Sequence, residues 1–355
     1  MVAHAPRRAS EVTGVVGWWH TPDVDVEEGA VLAEVLRPDA AGIAAAVRIL
    51  RRGGVVGMPT ETVYGLAADA LDPAAVTRIF AIKGRPADNP LIVHLRSAQE
   101  LERVVAATTP LAEALAMSFW PGPLTLVLEV GEDVPAVTTG GLRTVAIRVP
   151  DHPVATELLT AVGRPLAAPS ANRSGRPSPT TAEHVAADLG DDLEVVLDGG
   201  PCPVGVESTV VDARGDEPVV LREGSISRED LRSIVGVRSR ATAAHDRTDV
   251  QASPGTRYRH YAPTCALEIA ASADAASRAA ELAASGISVG LVASCPAPEG
   301  VRSIARFTDA PDLARQLYAA LRDAEDTAVD VLVVEAVPEV GVGRAVMDRL
   351  RRAAE

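Results

Sequence analysis

The chain has 355 residues and a formal net charge of −14 at pH 7; 47 % of its residues are apolar and 23 % are charged. This length allows two domains with separate cores, and the composition is typical of a globular protein. Because phosphate backbones are bound mainly by Lys and Arg, the negative charge argues against a general nucleic-acid surface, although it permits a local basic cleft.

The cysteines Cys202, Cys265 and Cys295 are widely spaced and fit neither a zinc-ligand nor a disulfide pattern, which favours a reducing compartment. No apolar run is long enough to cross a bilayer, and residues 1–12 lack the apolar segment of a signal peptide. We therefore expect a cytoplasmic protein that does not contact a membrane.

Residues 1–36 are predicted to be an irregular extension of mixed charge. The first helix is expected over 40–52, after the candidate N-cap Asp39. A second helix is expected over 74–83, with Gly84 as its C-terminal cap.

The segment up to residue 237 mixes strand and helix patterns without a regular alternation. The other predicted strands are 55–58, 91–95, 124–130, 144–149, 166–170, 194–198, 208–212 and 219–221. The other predicted helices are 98–118, 153–162, 181–189 and 228–235. We predict an α/β catalytic domain over 37–237 with a mixed, twisted sheet and flanking helices.

A polar segment over 238–263 is predicted to be an interdomain linker, and a regular strand–helix alternation follows it. Strands are expected at 267–270, 287–294 and 329–337, and helices at 274–285, 310–325 and 343–354. This alternation predicts a small Rossmann-like α/β domain with a parallel sheet over 264–355.

Several classes of nucleotide-binding, hydrolytic and metal-dependent protein are excluded because their sequence motifs are absent. The chain has no GxxxxGK[ST] loop, no GxGxxG after a strand, no GxSxG elbow and no metal spacing among its seven histidines. What remains is a set of polar residues near predicted strand ends, where ligands bind in open α/β sheets. These residues are cations and hydroxyl and amide donors, which suits the binding of anions and above all phosphates.

Two cations stand out in this set. Lys83 is the single lysine of the chain, and a composition that otherwise uses arginine indicates that a compact ammonium is required there. Arg148 lies between the apolar residues Ile147 and Val149 in a predicted strand, so its side chain is expected to point into a cleft or a buried pair.

The motifs PTETVYGL, KGRPADNPL, FWPGPLT, TTGGLRTVAIRVP, APSANRSGRPSPT, GVESTV and LREG follow one another from residue 59 to residue 224. With SPGTRYRHYAP in the linker and GVGRAVMDRL near the end, they closely resemble the YrdC-like family, in particular its longer members, the L-threonylcarbamoyl-AMP synthases with an added C-terminal domain. The resemblance begins at about residue 39.

This resemblance implies an enzyme, a nucleotidyltransferase that uses ATP, bicarbonate and L-threonine. A threonine carbamate would attack the α-phosphate of ATP and expel pyrophosphate, in the first step of threonylcarbamoyladenosine formation in tRNA. The product would pass to the tRNA threonylcarbamoyl transferase, and any contact with tRNA itself would be weak or indirect. Mg²⁺ is expected on the ATP phosphates, without a dedicated set of protein ligands.

The resemblance also implies individual roles. The residues expected to hold threonine are Thr62, His94, Arg148, Ser170 and Ser208. Those expected to hold the nucleotide are Lys83, Arg85, Asn89, Thr144, Asn172, Thr180 and Arg222. Lys83 and Arg85 would also be catalytic, because the main barrier is the approach of two anions.

The linker carries two of the four tyrosines of the chain. We hypothesise that it closes over the cleft as a lid, with Tyr258, His260 or Tyr261 reaching the site; the alternative is a passive tether. Three other interpretations remain open. The chain could be an RNA- or tRNA-binding module without adenylyl transfer, a different carbamoyl-adenylating enzyme, or an enzyme whose C-terminal domain is a docking surface.

Overall fold

The computed structural model describes residues 33–235 and 261–355. Within these ranges the strands are β1 Glu34–Leu36, β2 Val56–Met58, β3 Gly65–Asp69, β4 Ile92–His94, β5 Leu124–Glu129, β6 Thr144–Arg148, β7 Leu166–Ala167, β8 Val195–Leu197, β9 Thr209–Asp212, β10 Val219–Arg222, β11 Ala266–Ala270, β12 Val289–Ala293, β13 Arg302–Arg306 and β14 Val331–Glu335. The α-helices are α1 Ala40–Arg51, α2 Pro73–Lys83, α3 Pro110–Phe119, α4 Pro153–Val162, α5 Ala182–Leu189, α6 Arg228–Val235, α7 Ala275–Ala284, α8 Ala310–Asp326 and α9 Gly343–Ala354.

Strands β1 to β10 form one sheet in the order β1-β8-β2-β3-β7-β4-β6-β5-β9-β10, with parallel and antiparallel pairs. Helices pack on both of its faces: Leu66 and Ala68 of β3 belong to a core with α2 and α3, whereas Ala67 belongs to a core with α1 and α4. This alternation follows from the opposite directions of successive side chains in a strand. The predicted mixed α/β sheet is confirmed.

Another part of the sheet carries a much smaller apolar cluster. It consists of Ile92, Val127, Ala146 and Val210, from strands β4, β5, β6 and β9. The neighbouring residues Val93, Leu126, Ile147 and Val211 belong to the large core on the opposite face. The face of Ile92 and Ala146 is the one over which the candidate site lies.

Strands β11 to β14 form a second, fully parallel sheet in the order β11-β14-β12-β13, which confirms the parallel C-terminal fold. Its core extends beyond this sheet. Leu317 and Leu321 of α8 share a buried cluster with Val63 and Val206, which belong to loops of the first sheet.

Three strands differ from the sequence prediction. Strand β1 lies inside the predicted extension 1–36 and pairs with β8, so the predicted irregular structure does not hold at 34–36. Glu34 and Val35 are both exposed, so the strand lacks the alternation of buried and exposed residues by which a strand is predicted from sequence. Strand β3 was missed because all five of its residues are buried, and β13 because it is an edge strand that is largely exposed.

The single helix predicted over 98–118 is also wrong. A 3-10 helix spans Ala98–Arg103, and α3 begins at Pro110 with Thr109 as its N-cap. Pro110 accounts for the break, because proline lacks the N–H that a helix interior requires and fits the first turn.

Candidate functional site

A cleft of about 630 Å³, including the space open to solvent at its mouth, lies over the sheet. The polar residues that line it are Thr60, Thr62, Arg85, His94, Arg148, Ser170, Asn172, Ser178, Glu207, Ser208, Arg222 and Tyr261. All five residues predicted to hold threonine are in this set. Of those predicted to hold the nucleotide, Arg85, Asn172 and Arg222 are.

Parallel pairing of β4 with β6 brings His94 and Arg148 together, since the two residues are partners in the register. Ile92 also lines the cleft and lies two residues before His94, so the cleft runs along one face of β4. The prediction that the polar residues act from strand ends is therefore incomplete, because a sheet face supplies part of the floor.

Arg148 is held on three sides. Its Nη1 donates to Thr62 Oγ1 at 2.8 Å, its Nε donates to the Gly122 carbonyl at 3.2 Å, and its Nη2 lies 2.6 Å from Glu61 Oε2. The two hydrogen bonds use two of the five N–H groups of the guanidinium, so N–H groups remain that can bind a ligand carboxylate. The predicted buried pair is present, and the partner of Arg148 in it is Glu61, a residue for which no separate role was predicted.

His94 is buried, and its pKa falls to about 3 because of burial and the nearby positive charge of Arg148. The ring is therefore neutral at physiological pH. Nδ1 lies 3.2 Å from the Ile92 carbonyl, to which the ring donates in the tautomer that carries the proton on Nδ1. His94 thus adds a neutral polar group beside a fixed cation.

Lys83 lies next to the cleft rather than on its surface. Its Nζ donates to the carbonyls of Ser170 and Asn172 at 2.6 and 2.5 Å, and the residue is 3 % exposed. Burial, and then repulsion by Arg85, lower its pKa well below the ordinary value. Lys83 ties the end of α2 to the loop that carries two cleft residues, and a direct contact with phosphate remains a prediction.

Arg222 and Ser208 form a second fixed group. The Arg222 Nη2 donates to the Ser208 carbonyl at 3.0 Å and to its hydroxyl at 3.1 Å, and Thr125 Oγ1 lies 2.7 Å from the same hydroxyl. Ser208 comes immediately before β9, whose parallel pairing with β5 places Thr125 at this position.

Asn172 offers an acceptor to the cleft. Its Nδ2 donates to the carbonyls of Arg173 and Arg176, whereas its buried Oδ1 has no hydrogen-bond partner among the described residues. Buried polar atoms in proteins are nearly always satisfied, so this oxygen is suited to accept from a ligand.

Besides Lys83, three predicted nucleotide residues do not line the cleft: Asn89, Thr144 and Thr180. Each is buried, and the hydroxyl of Thr180 lies 3.4 Å from Nδ1 of His184. Thr144 begins β6 whereas Arg148 ends it, and this places the two residues at opposite ends of one strand.

Of the predicted lid residues, Tyr258 and His260 lie outside the described residues. Tyr261 lines the cleft, and its ring is stacked on Tyr318 with a centroid distance of 5.3 Å. Its backbone φ of 66° lies in the left-handed region, an uncommon conformation for an aromatic residue that is found where surrounding contacts fix the chain.

Over 33–235 and 261–355, no three or more His, Cys, Asp or Glu side chains are grouped so as to hold a metal ion. Within the same ranges, no helix combines the length and apolar character that crossing a membrane requires.

Fold and cleft define a mixed α/β protein with a polar cleft built from buried arginines, hydroxyls and a neutral imidazole. Two family models match the chain, one described as telomere recombination over residues 48–224 and one described as threonylcarbamoyl-AMP synthase, C-terminal domain, over residues 226–355. The chain belongs to the YrdC-like family, as a long member with this C-terminal domain.

Individual relatives agree. A threonylcarbamoyl-AMP synthase of Pyrococcus abyssi is 45 % identical over 87 % of this chain and 92 % of its own length. One of Bacillus subtilis is 43 % identical over 88 % of this chain and 92 % of its own length. The crystal structure of P. abyssi Sua5 complexed with L-threonine superposes with a TM-score of 0.80 at 42 % identity, covering 91 % of this chain and 96 % of that one.

Proposed function

We propose that this chain is a threonylcarbamoyl-AMP synthase, which converts L-threonine, bicarbonate and ATP into L-threonylcarbamoyladenylate, pyrophosphate and water. Full-length similarity to proteins of that name supports the proposal. The observation that carries it is the meeting of Thr62, His94 and Arg148 at one cleft, in a fold shared with a relative crystallised with L-threonine.

The amino acid is assigned to the part of the cleft around Arg148. Two N–H groups of its guanidinium would bind the threonine carboxylate, and Thr62, His94, Ser170 and Ser208 would supply neutral hydrogen bonds. Because His94 is uncharged, it adds polarity without attracting a second anion.

The nucleotide is assigned to the part of the cleft with Arg85, Asn172 and Arg222. Asn172 Oδ1 would accept from a donor on the nucleotide, and the two arginines would face its phosphates. For Lys83, Asn89, Thr144 and Thr180 we retain the assignment to the nucleotide side as a proposal. Lys83 would act by fixing the loop of Ser170 and Asn172, and it would have to leave their carbonyls to reach a phosphate.

In the reaction, the carbamate oxygen of the threonine derivative forms a bond to the α-phosphorus, and the bond to pyrophosphate breaks. The carbamate is already anionic, so no strong base is needed. The protein lowers the barrier by placing cations around two anions that repel each other. Mg²⁺ would arrive as its complex with ATP, because the described residues offer it no cluster of carboxylates.

Pyrophosphate release with ATP and bicarbonate tests the proposal, comparing L-threonine, L-serine and no amino acid. We expect release to depend on both threonine and bicarbonate, and release that ignores both would overturn the proposal. Serine lacks one methyl group, which is worth roughly 1 kcal/mol or slightly more, so we expect a lower rate with it. Removal of Mg²⁺ with a chelator is expected to stop release.

The lid is a separate proposal, in which the linker over 238–263 closes on the cleft and shields the labile product from water. Tyr261 at the cleft supports it. Cutting the chain after Val237 removes the linker together with the C-terminal strands and helices, and unchanged pyrophosphate release by that truncated chain would contradict the lid. We further propose that the product passes in the cytoplasm to the enzyme that transfers threonylcarbamoyl to tRNA.

A further inference from the structure

Strands β11 to β14 and helices α7 to α9, here called the second domain, contact loops of the first domain that carry cleft residues. Val63 lines the cleft, and Val206 lies just before the cleft residue Glu207; both are buried in one cluster with Leu317 and Leu321 of α8. The packing of the second domain therefore continues to the edge of the site. The two domains are also joined by hydrogen bonds and ion pairs, which are more specific than this apolar packing.

Glu207 is a carboxylate in a cleft that otherwise suits anions. It accepts hydrogen bonds from Ser178 Oγ at 2.6 Å, Tyr318 OH at 2.8 Å and Arg349 Nε at 3.1 Å. Tyr318 and Arg349 belong to α8 and α9 of the second domain, and Arg349 is fully buried. Burial by itself would raise the pKa of Glu207, but the positive charges of Arg349 and Arg222 outweigh it and lower the pKa to about 2.

A second contact holds the chain just before Ser178. The Pro177 carbonyl accepts from Arg322 Nη2 at 2.5 Å, and Arg322 also pairs with the buried Asp188 at 2.8 Å. Arg176 bridges Asp188 and Glu325 at 2.7 and 2.5 Å. Arg322 and Glu325 lie on α8, so this helix fixes both the main chain and a side chain of the segment.

The same segment continues to Asn172 and Gly175. The Asn172 side chain donates to the Arg176 carbonyl at 2.9 Å, and the Ala262 amide donates to the Gly175 carbonyl at 3.1 Å. Residues 172–178, of which Asn172 and Ser178 line the cleft, thus form a wall segment that is held in part by groups outside the first domain.

An uncompensated Glu207 carboxylate beside this wall would repel a polyanionic ligand and would also be costly to bury. Arg349, together with Arg222, removes both problems, because their positive charges compensate Glu207 and leave the carboxylate as an acceptor that orients Ser178. Tyr318 fixes the same carboxylate from a second side.

We propose that Arg349 and Tyr318 are positioning residues, through which the second domain holds Glu207, Ser178 and the wall 172–178 in the conformation that binds the nucleotide. The claim that this wall binds the nucleotide rests on the proposed function. The fixing of the wall by the second domain rests on the contacts alone, and the two parts can be tested separately.

The first experiment compares Tyr318→Phe and Arg349→Met with the control Arg344→Met, in the full chain. Arg344 also lies on α9 and joins the two domains, but its partner Glu229 is not a cleft residue. We expect the KM for ATP to rise about tenfold in Arg349→Met and about threefold in Tyr318→Phe, with smaller changes in kcat and less than twofold change in the control. Unchanged KM values in both folded variants would overturn the proposal.

Tyr318→Phe keeps the ring and removes one hydroxyl, so it remains informative if Arg349→Met does not fold. Arg349→Lys is expected to restore part of the ATP affinity, because it returns the charge without the planar geometry.

A double variant separates positioning from general destabilisation. In a Glu207→Gln background there is no buried carboxylate to neutralise, so Arg349→Met should raise the KM for ATP less than it does in the wild type. An equal rise in both backgrounds would show that Arg349 does not act through Glu207 and would overturn the proposal.

Hydrogen exchange of the free protein tests the wall without any substrate. We expect faster exchange of the amides within 173–178 in Arg349→Met and Tyr318→Phe than in Arg344→Met. If wild-type protein failed to release pyrophosphate but this difference were present, the proposed function would fail while the positioning role stood. Equal exchange in all three variants would overturn the positioning role whatever the enzyme does.

Discussion

The Glu61 carboxylate lies 2.6 Å from Nη2 of Arg148, and the two side chains are only 6 % and 4 % exposed. Thr62, the next residue, accepts from Nη1 of the same guanidinium. Two consecutive residues of one loop therefore orient the arginine that we assign to the threonine carboxylate. Such a buried pair contributes orientation more reliably than stability, because desolvation offsets much of its attraction.

Glu61→Gln keeps the shape of this side chain and removes its charge. We expect the KM for threonine to rise about tenfold, because Arg148 loses the group that aligns it, and the free energy of unfolding to fall by about 3 kcal/mol, as for a broken buried pair. Steady-state kinetics and urea denaturation measure the two effects. Glu100→Gln, which alters the more exposed pairs with Arg96 and Arg103, is the control. An unaltered KM for threonine would contradict the proposed alignment.

Lys83→Arg and Lys83→Met are both expected to lose most activity, for different reasons. Arginine places a larger planar group where two carbonyls contact a compact ammonium, and such overpacking costs about 1–3 kcal/mol. Methionine fills the space of the stem but leaves those carbonyls without their donor, which costs about 1–3 kcal/mol. Arg78→Met on the same helix is the control, since Arg78 is exposed. Near-normal pyrophosphate release by Lys83→Arg would show that the lysine is not required.

His94 should make the stability of the protein depend on pH below neutrality. Its pKa is about 3 in the folded protein and near 6.5 in the unfolded chain, so between these values the unfolded chain binds a proton that the folded protein does not. The stabilisation is therefore complete above pH 6.5 and is lost as the pH falls towards 3, with a slope of at most about 1.4 kcal/mol per pH unit.

His94→Gln removes this contribution. Its unfolding free energy should vary less steeply between pH 6.5 and 4 than that of the wild type, as measured by urea denaturation at several pH values. His184, whose pKa falls to about 4 because of burial and Arg322, acts in both proteins and cancels in the difference. Identical slopes would contradict the neutral state assigned to His94.

Cys202 is expected to resist alkylation. The residue is 5 % exposed, and burial raises the pKa of its thiol to about 12, so the reactive thiolate is scarce at pH 8. Iodoacetamide should modify the half-buried Cys295 first and Cys202 only after unfolding, as followed by mass spectrometry of peptides. Equal rates for both cysteines in the folded protein would show that Cys202 is accessible.

The sequence predicted the cleft residues better than the contacts that hold them. Thr62 and Ser208 were assigned to the site through the motifs that resemble the YrdC-like family, whereas the position of Arg148 between Ile147 and Val149 in a strand already pointed to a cleft or a buried pair. The partner of Lys83 is a pair of main-chain carbonyls, and no side-chain pattern can indicate such a partner.

Glu207 shows a different limit. Its neighbours in sequence place it near the cleft. The reason why a buried carboxylate is tolerated there is its ion pair with Arg349, which belongs to the second domain and is remote in sequence. The helix ends at Asp39 and Gly84 were predicted correctly from their capping residues, whereas the short edge strand β1 depends on pairing with β8 rather than on its own composition.

The anchoring of Lys83 has a practical consequence, because it is the single lysine of the chain. A lysine-specific endoprotease can cleave one bond only, between Lys83 and Gly84, and would yield two fragments. Since the side chain is 3 % exposed and held by two carbonyls, the bond becomes a substrate only when the end of α2 opens locally. The rate at which the intact chain disappears is then a direct measure of that opening, and substrates that stabilise the neighbouring loop should slow it.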